Sequence, residues 1–133
     1  MFLGKYEAAL GDKKRVTLPS KIVKHLTKQT VVIGKGFETC IYGYEISAWE
    51  QSTKQYIDAP LLDKRARSVR RFIFSNSIIV PFDKQSRIVI PPFLIEYAGL
   101  TKELMVVGSG DHFEIWDTMK WQGEQGRLES IDE

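Results

Sequence analysis

A charged segment of this sequence occurs twice, and the repetition limits what the chain can fold into. GDKKRVTLPS at residues 11–20 recurs 72 positions later as DKQSRIVIPP at residues 83–92. In both copies an arginine precedes a run of aliphatic or β-branched residues and a proline, and apolar residues alternate upstream, as in a strand with one buried face. Each copy therefore predicts a β-hairpin with a charged tip, and the chain is predicted to contain two equivalent halves.

A second hairpin is predicted in each half. VIG at residues 32–34 aligns by residue type with VVG at 106–108, and IY at 41–42 aligns with IW at 115–116. Glycines in the segments between these runs are typical of hairpin turns, because such turns require residues that tolerate positive φ. A short helix is expected before this hairpin, beginning at the proline that ends the first one.

Hairpins of this size cannot bury their apolar faces alone, but two such halves can do so by interlocking. We therefore predict an α+β, mainly β fold: a duplicated swapped-hairpin β-barrel with short helices and a helical linker between the halves. We expect one pseudo-symmetric domain over residues 1–133. It divides into a first half at 1–49, a helical linker at 50–75 and a second half at 76–133 that includes an acidic tail.

Charge is segregated along the chain, although the formal net charge is only +2. Basic residues cluster at residues 12–28 and again at 63–71, and acidic residues dominate 111–133. Such a chain can present a positive face to an anionic partner while it stays nearly neutral. The alternative is that each cluster is a solvated face, which is the commoner case for a single cluster. Two basic clusters in one small domain weaken that alternative.

Several classes of protein are disfavoured by the composition. The apolar runs are too short for a membrane span, and residues 1–10 lack the apolar core of a signal peptide, so we expect a cytoplasmic protein. Cys40 has no partner for an intramolecular disulfide. His25 and His112 do not stand at metal-ligand spacing, and no nucleophile has a base beside it in a recognisable motif. We therefore predict no enzyme activity, no metal or other cofactor and no small-molecule substrate.

The charged tips predict contact with double-stranded DNA. A β-hairpin is narrow enough for the major groove, where an arginine fork can pair with O6 and N7 of guanine. Arg15 and Arg87 are therefore the candidate base readers. The neighbouring lysines would contact phosphates, which adds affinity but little sequence information. These lysines are Lys13, Lys14 and Lys84.

Asp83 stands four residues before Arg87 at the second tip. We expect it to orient Arg87 or to cap the turn, because a free carboxylate near phosphate is repelled. The alternative for both tip arginines is a salt bridge across the turn without a role in binding. For a single tip the two interpretations are evenly balanced, and the duplication favours DNA contact.

The predicted linker helix carries a second candidate surface. Lys64, Arg67 and Arg71 are spaced i, i+3 and i+7, so they would form one basic stripe that contacts DNA. The alternative is an exposed helix whose arginines pair with the acidic tail of another subunit. We favour DNA contact for these three residues and the alternative for Arg65 and Arg70.

Several of these features together resemble the MraZ family of bacterial proteins. They are the paired Asp-x-x-x-Arg type tips with a β run and proline, the MFLG start, the basic helix between the halves, and AGLTKELMVVG with FEIWD in the second half. The family pattern at each tip is Asp-x-Lys-Gly-Arg. This sequence departs from it at Gly11 and Lys14 in the first tip and at Gln85 and Ser86 in the second.

The resemblance implies a fold, a partner and an activity. It implies two AbrB-type swapped-hairpin halves and a nucleoid-associated, DNA-binding transcriptional regulator that acts on the promoter of the division and cell-wall gene cluster. It also implies a homo-oligomeric ring, such as an octamer, whose successive tips contact short direct repeats. The operator, the subunit number, the choice between repression and activation, and the relative contribution of the two tips stay open.

Two other functions remain as alternatives. AbrB/MazE-type antitoxins use a related barrel to bind DNA and an unstructured C-terminal arm to neutralise a toxin protein. The acidic end QGEQGRLESIDE at residues 122–133 is the candidate arm, although it is short and lacks an apolar stripe. A ring that binds only protein, with the tips as solvated turns, predicts no salt-dependent affinity for DNA.

Overall fold

The computed structural model describes residues 1–131, in which the chain forms eight strands and five α-helices. The order strand, strand, helix, strand, strand, helix occurs twice, and one further helix stands between the two copies. In chain order the elements are β1 (Lys5–Ala9), β2 (Arg15–Thr17), α1 (Ser20–Val23), β3 (Thr30–Lys35), β4 (Ile41–Tyr44), α2 (Ile46–Ile57), α3 (Lys64–Ser75), β5 (Ser77–Pro81), β6 (Arg87–Val89), α4 (Pro92–Ala98), β7 (Glu103–Gly108), β8 (Phe113–Asp117) and α5 (Thr118–Glu129).

The strands exchange partners between the two halves. β1 pairs with β7 of the second half, and β5 pairs with β3 of the first half, in a six-stranded sheet of order β1-β7-β8-β4-β3-β5. β2 and β6 form a separate antiparallel ladder. The predicted duplicated, mainly β fold with exchanged hairpins is confirmed. Within the described residues its hydrogen bonds form two sheets and do not close into one barrel.

A pseudo-twofold axis relates the two halves. The β2–β6 ladder is centred on the pair of Val16 and Ile88, and the β4–β8 ladder is centred on the pair of Tyr42 and Glu114. The members of each pair are 72 positions apart, so each ladder is mapped onto itself when the halves are exchanged. The repeat in the sequence is therefore a repeat in space.

The alignment by residue type misplaced the second hairpin. Tyr6 pairs with Val106, and its counterpart Ile78 pairs with Ile33. Ile33 is thus the structural equivalent of Val106, whereas the alignment had paired Val32 with Val106. Because side chains alternate between the two faces of a strand, this shift of one residue decides which side chains are inward. Ile33 and Val106 are both fully buried in the core.

The main core lies between the six-stranded sheet and the β2–β6 ladder, with α1 and α4 packed against it. Val16 and Ile88 enter it from the ladder, and Ile41, Phe113 and Ile115 enter it from the sheet. Burial of each such side chain stabilises the fold by about 1.5–3 kcal/mol before the cost of chain ordering. The ladder that carries both charged tips is therefore fixed to the sheet by its inner face.

The helices on the other side of the sheet are held by aromatic contacts. Trp121 of α5 packs edge-on against Trp116, with 5.7 Å between ring centroids. Phe74 of α3 meets Trp49 of α2 at 5.4 Å. α2 spans the predicted boundary between residues 49 and 50, and α5 follows β8 as α2 follows β4. The division into two halves and a linker stays a prediction.

Candidate nucleic-acid interface

The two charged tips are joined to each other through the backbone. The amide of Ile90 donates to the carbonyl of Lys14 at 2.9 Å, and the amide of Leu18 donates to the carbonyl of Ser86 at 2.8 Å. Each tip is thus bonded to the residue that follows the strand of the other half. The tips form one unit at the β2–β6 ladder, although they are far apart in the sequence.

Both tip arginines lie on the outer face of this ladder. Arg15 is paired with Val89, and Thr17 is paired with Arg87. Val16, between Arg15 and Thr17, points into the core, so all four of these paired residues share the opposite face. One surface cleft is lined by Arg15, Val80, Pro81, Phe82, Asp83, Arg87 and Val89. The structure therefore brings the two predicted base readers to one cleft.

Sequence reasoning did not identify the apolar walls of this cleft. Pro81, Phe82 and Val89 line it together with the two arginines. Val89 was seen only as part of the β run, and the pairing of β2 with β6 is what places it opposite Arg15. The three predicted phosphate-contacting lysines are exposed beside the cleft: Lys13, Lys14 and Lys84.

The second tip is organised around the Asp83 carboxylate. Its Oδ1 accepts the backbone N–H groups of Gln85 at 2.9 Å and Arg87 at 3.0 Å, and its Oδ2 accepts the Nε–H of Arg87 at 2.8 Å. The hydrogen bond from the Arg87 amide is the largest cause that holds the pKa of Asp83 below its usual range; desolvation opposes it, and the Arg87 side chain and the Gln85 amide add to it. This carboxylate both caps the turn and fixes the guanidinium.

The first tip has no equivalent carboxylate, because Gly11 occupies the position of Asp83. The Gly11 amide still donates to the Arg15 carbonyl at 2.8 Å, so the turn itself is closed. The Nε of Arg15 lies 3.4 Å from the carbonyl oxygen of Asp12, which is longer than an ordinary N–H···O bond. A salt bridge across the turn thus exists at the second tip, and among residues 1–131 the first tip has none.

The linker stripe lies on α3, away from the tip cleft. Asp63 caps this helix by accepting the Ala66 amide at 3.1 Å, and Lys64 and Arg71 are exposed. Arg67 is partly buried, and its Nη1 donates to the carbonyl of Leu61 at 2.6 Å. None of the three predicted stripe residues is among those that line the cleft between Arg15 and Arg87.

The comparisons with known proteins agree with this duplicated architecture. The family model described as "MraZ protein, putative antitoxin-like" matches residues 1–72 and again residues 73–131. This chain belongs to the MraZ family. The transcriptional regulator MraZ of Dictyoglomus thermophilum is 39% identical over 136 residues, which cover 100% of this chain and 92% of the relative.

Two further relatives carry the same name. The transcriptional regulator MraZ of Roseiflexus sp. is 36% identical over 92% of this chain and 85% of its own. That of Acetivibrio thermocellus is 36% identical over 95% of this chain and 87% of its own. The resemblance drawn from the tips and the second-half block is confirmed over both halves.

The MraZ tip pattern has glycine where this chain has Lys14 and Ser86, and the backbone explains why. Lys14 has φ of 59° and Ser86 has φ of 61°, a left-handed conformation that costs a residue with Cβ about 1–2 kcal/mol. Both positions therefore carry backbone strain that glycine would not.

We expect Ser86→Gly to raise the free energy of unfolding by about 0.5–1 kcal/mol, because the relief of strain exceeds the added entropy of the unfolded chain. Urea denaturation monitored by tryptophan fluorescence measures it. Ser86→Val, which places a β-branched residue at the same positive φ, should lower the free energy of unfolding. A lower stability for Ser86→Gly than for the wild type would contradict the assignment of strain to this residue.

Two other observations concern sites of a different kind. Within residues 1–131 no group of three or more His, Cys, Asp and Glu side chains is placed to hold a metal ion. The Nδ1 of His112 lies 2.6 Å from Oδ1 of Asp111, and its Nε2 lies 3.1 Å from Oε2 of Glu114. The imidazole ring also packs against the Tyr42 ring. Desolvation lowers the pKa of His112. Its hydrogen bonds to the carboxylates of Glu114 and Asp111 raise the pKa by a larger amount, so the net shift is upward. In the same part of the chain, no helix is both long and apolar enough to cross a membrane.

Proposed function

We propose that this chain is a sequence-specific DNA-binding transcriptional regulator that reads the major groove with its two tips. The observation that carries the proposal is the position of Arg15 and Arg87 on one outer face of the β2–β6 ladder. The names of the relatives, transcriptional regulator MraZ, support the same function. The proposal involves no catalysis, cofactor or small-molecule substrate.

The ladder has the shape and chemistry that major-groove reading requires. A two-stranded antiparallel ribbon fits the groove, and its outward side chains then face the base edges. An arginine paired with guanine discriminates against other bases by about 1–3 kcal/mol. Lys13, Lys14 and Lys84 stand at the ends of the ribbon, where they meet the phosphate backbone.

The linker helix supplies a weaker, sequence-independent contribution. Lys64 and Arg71 are exposed and free to approach phosphates. Arg67 contributes less, because its guanidinium already donates to the Leu61 carbonyl and would have to leave that bond. Arg65 and Arg70 are assigned no DNA contact.

The regulator acts in the cytoplasm, on the nucleoid, at the promoter of the division and cell-wall gene cluster. Its subunits form a ring, such as an octamer, whose successive tips meet short direct repeats. Several large apolar side chains are exposed to solvent in a single subunit. This exposure supports such assembly, because contact with a neighbouring subunit would remove their apolar surface from water. They include Leu3, Ile57, Leu61, Leu62 and Ile131. Each subunit is one domain with halves at 1–49 and 76–133.

We expect the double variant Arg15→Ala, Arg87→Ala to lose the preference for native over scrambled DNA, because no arginine fork remains on the outer face of the ladder. Fluorescence anisotropy across a salt series measures it, with a duplex from upstream of the protein's own gene and a scrambled duplex of the same composition. A salt-sensitive binding to both duplexes should persist through the lysines. The matched control is Arg65→Ala, Arg70→Ala, which removes the same charge from the linker helix and should keep the preference.

Two results would overturn the proposal for this duplex. One is equal, negligible affinity of the wild type for both duplexes, which is also what a purely structural ring predicts. The other is an equal loss of preference in the control pair, which would assign the effect to net charge and not to the tips.

The description of the matching family as antitoxin-like favours one alternative, an AbrB/MazE-type antitoxin. Its arm would be the acidic end, yet residues up to Glu129 continue α5, which is anchored by Trp121. Asp132 and Glu133, the last residues of that end, lie outside the described part. Copurification of a small toxin protein with the chain would support this alternative, and a homo-oligomer that carries no partner would argue against it.

A further inference from the structure

The two tips occupy equivalent places in the ladder but hold their arginines differently. We propose that they divide the contacts with DNA: the Arg87 tip reads a base, and the Arg15 tip contacts the phosphate backbone without reading sequence. This division rests on the proposed DNA-binding function and narrows it from two base-reading tips to one. It specifies which end of the ladder determines the operator sequence.

Arg87 is held in a fixed orientation before DNA is bound. Asp83 takes only its Nε–H, at 2.8 Å, and within residues 1–131 its two terminal nitrogens donate no hydrogen bond. A guanidinium fixed at Nε presents the remaining planar fork for a bidentate pair with guanine. Since a side chain already ordered loses less entropy on binding, this orientation favours directional recognition.

Arg15 lacks such a support. Its nearest polar contact is the Asp12 carbonyl at 3.4 Å, and no carboxylate lies within ion-pair distance of it in the described part of the chain. Lys13 and Lys14 stand directly before it and are exposed. None of these three adjacent cations is held in a fixed orientation. They suit contact with phosphate oxygens, because the attraction between opposite charges depends little on direction.

The missing carboxylate is a difference that one substitution can test. The turns also differ in backbone, since Lys13 and Lys14 both have positive φ and at the second tip only Ser86 does. Gly11 is the counterpart of Asp83, and the two amides make equivalent bonds, to the carbonyls of Arg15 at 2.8 Å and Arg87 at 3.0 Å. The backbone of Gly11 is extended, with φ of −94° and ψ of −167°, which any residue adopts. A Cβ added there would meet only the Arg15 carbonyl oxygen, at an ordinary 3.6 Å. The first tip can therefore accept the carboxylate that it lacks.

The experiment starts from a duplex that the wild-type protein itself selects from a random pool, so it does not depend on a known operator. Affinity for this duplex and for a scrambled one is measured by anisotropy across a salt series. Five variants are compared: Arg87→Ala, Arg87→Lys, Asp83→Gly, Arg15→Ala and Gly11→Asp. Circular dichroism and thermal unfolding confirm that each is folded.

We expect Arg87→Ala to lower the ratio of selected to scrambled affinity by roughly 5- to 150-fold, the factor that corresponds to one bidentate arginine–guanine pair. Arg87→Lys and Asp83→Gly should lower it too, although neither removes positive charge. Arg15→Ala should weaken binding to both duplexes alike and reduce the slope of log affinity against log salt by about 1. Gly11→Asp should raise the ratio or change the base preferred at one position.

The outcomes separate this inference from the function on which it rests. If no sequence is enriched from the pool, sequence-specific binding itself is wrong. If a sequence is enriched but Arg15→Ala lowers the affinity ratio as much as Arg87→Ala does, both tips read bases and the division is wrong. A ratio unchanged by Asp83→Gly would likewise overturn it, because the carboxylate would then not matter for reading.

Discussion

Replacement of Phe113 by alanine is expected to lower the free energy of unfolding by about 3–5 kcal/mol, the range for a large aromatic truncated in a close-packed core. Phe113 is fully buried on β8 and packs edge-on against Phe2, with 5.4 Å between ring centroids. It also lies opposite Gly43 on β4, where the two halves meet in the sheet. Its loss would leave a cavity where β8 of the second half pairs with β4 of the first half.

Urea denaturation followed by far-UV circular dichroism measures this effect, and Phe37→Ala is the matched control. Phe37 is 58% exposed, so its truncation should cost less than about 1 kcal/mol. A cost for Phe113→Ala no larger than that of Phe37→Ala would mean that the core does not depend on this ring.

The space over Gly43 offers a stricter test of the same packing. A Cβ at Gly43 would overlap the Phe113 ring, so Gly43→Ala alone should cost about 1–3 kcal/mol by overpacking. Combined with Phe113→Leu, which makes room, Gly43→Ala should cost less than it does alone. Strict additivity of the two single effects would show that these residues are not in contact.

The duplication, the strand types and the charged tips could all be predicted from the sequence. Each depends on short-range patterns: alternating apolar residues, a proline after the arginine-led strand, and glycines in turns. The contact between Asp83 and Arg87 could also be predicted, because a carboxylate four residues before an arginine in a tight turn lies close enough to bind it. Local sequence was sufficient wherever the physical cause was local.

The register of the second hairpin could not be obtained this way. VVI at residues 31–33 and VV at 106–107 are nearly uniform in residue type, so identity cannot distinguish adjacent registers. The actual register is set by the inward alternation against β1 and β5, which belong to the opposite halves. Long-range pairing decides it.

The candidate site likewise has features that the local sequence predicted and features that depend on long-range contacts. Both tip arginines were identified as charged turn residues, but their common cleft depends on the antiparallel pairing of β2 with β6. The bond from Arg67 to the Leu61 carbonyl was not foreseen, because it depends on how the segment before α3 folds back on the helix. Helical spacing predicted that Arg67 shares a face with Lys64, and it did not predict what else that side chain contacts.

Asp117 ends β8 and caps α5, and its buried carboxylate accepts several hydrogen bonds. It is 5% exposed, and its carboxylate accepts the Thr101 amide at 2.9 Å, the Thr101 hydroxyl at 2.6 Å and the Met119 amide at 3.2 Å. Glu45 has the equivalent role before α2 and accepts the Thr27 hydroxyl at 2.8 Å. The pseudo-symmetry thus uses a threonine and a carboxylate at both sites to join a strand end to a helix.

Removal of this carboxylate by Asp117→Ala is expected to lower the free energy of unfolding by about 2–4 kcal/mol at neutral pH, because it removes the acceptor of three hydrogen bonds and the cap of α5. Burial alone raises the pKa of Asp117, but the hydrogen bonds from Thr101 and Met119 outweigh burial and the net shift is downward. A folded-state pKa below the unfolded value means that the contribution is complete above the unfolded pKa. It is lost as the pH falls through the folded pKa.

The wild type should therefore lose more stability than Asp117→Ala as the pH is lowered from about 5 towards 2, so that the two profiles of unfolding free energy converge in acid. Urea denaturation at a series of pH values measures this convergence. Asp117→Asn, which keeps an acceptor oxygen but cannot titrate, should cost less than alanine and also have the flatter profile. Asp83, Glu45 and Glu124 also have lowered pKa values, so the wild type and both variants all lose some stability in acid. Only the difference between their profiles of unfolding free energy reports on Asp117. Parallel profiles for wild type and both variants would mean that the Asp117 carboxylate contributes equally in both protonation states and does not act through its charge.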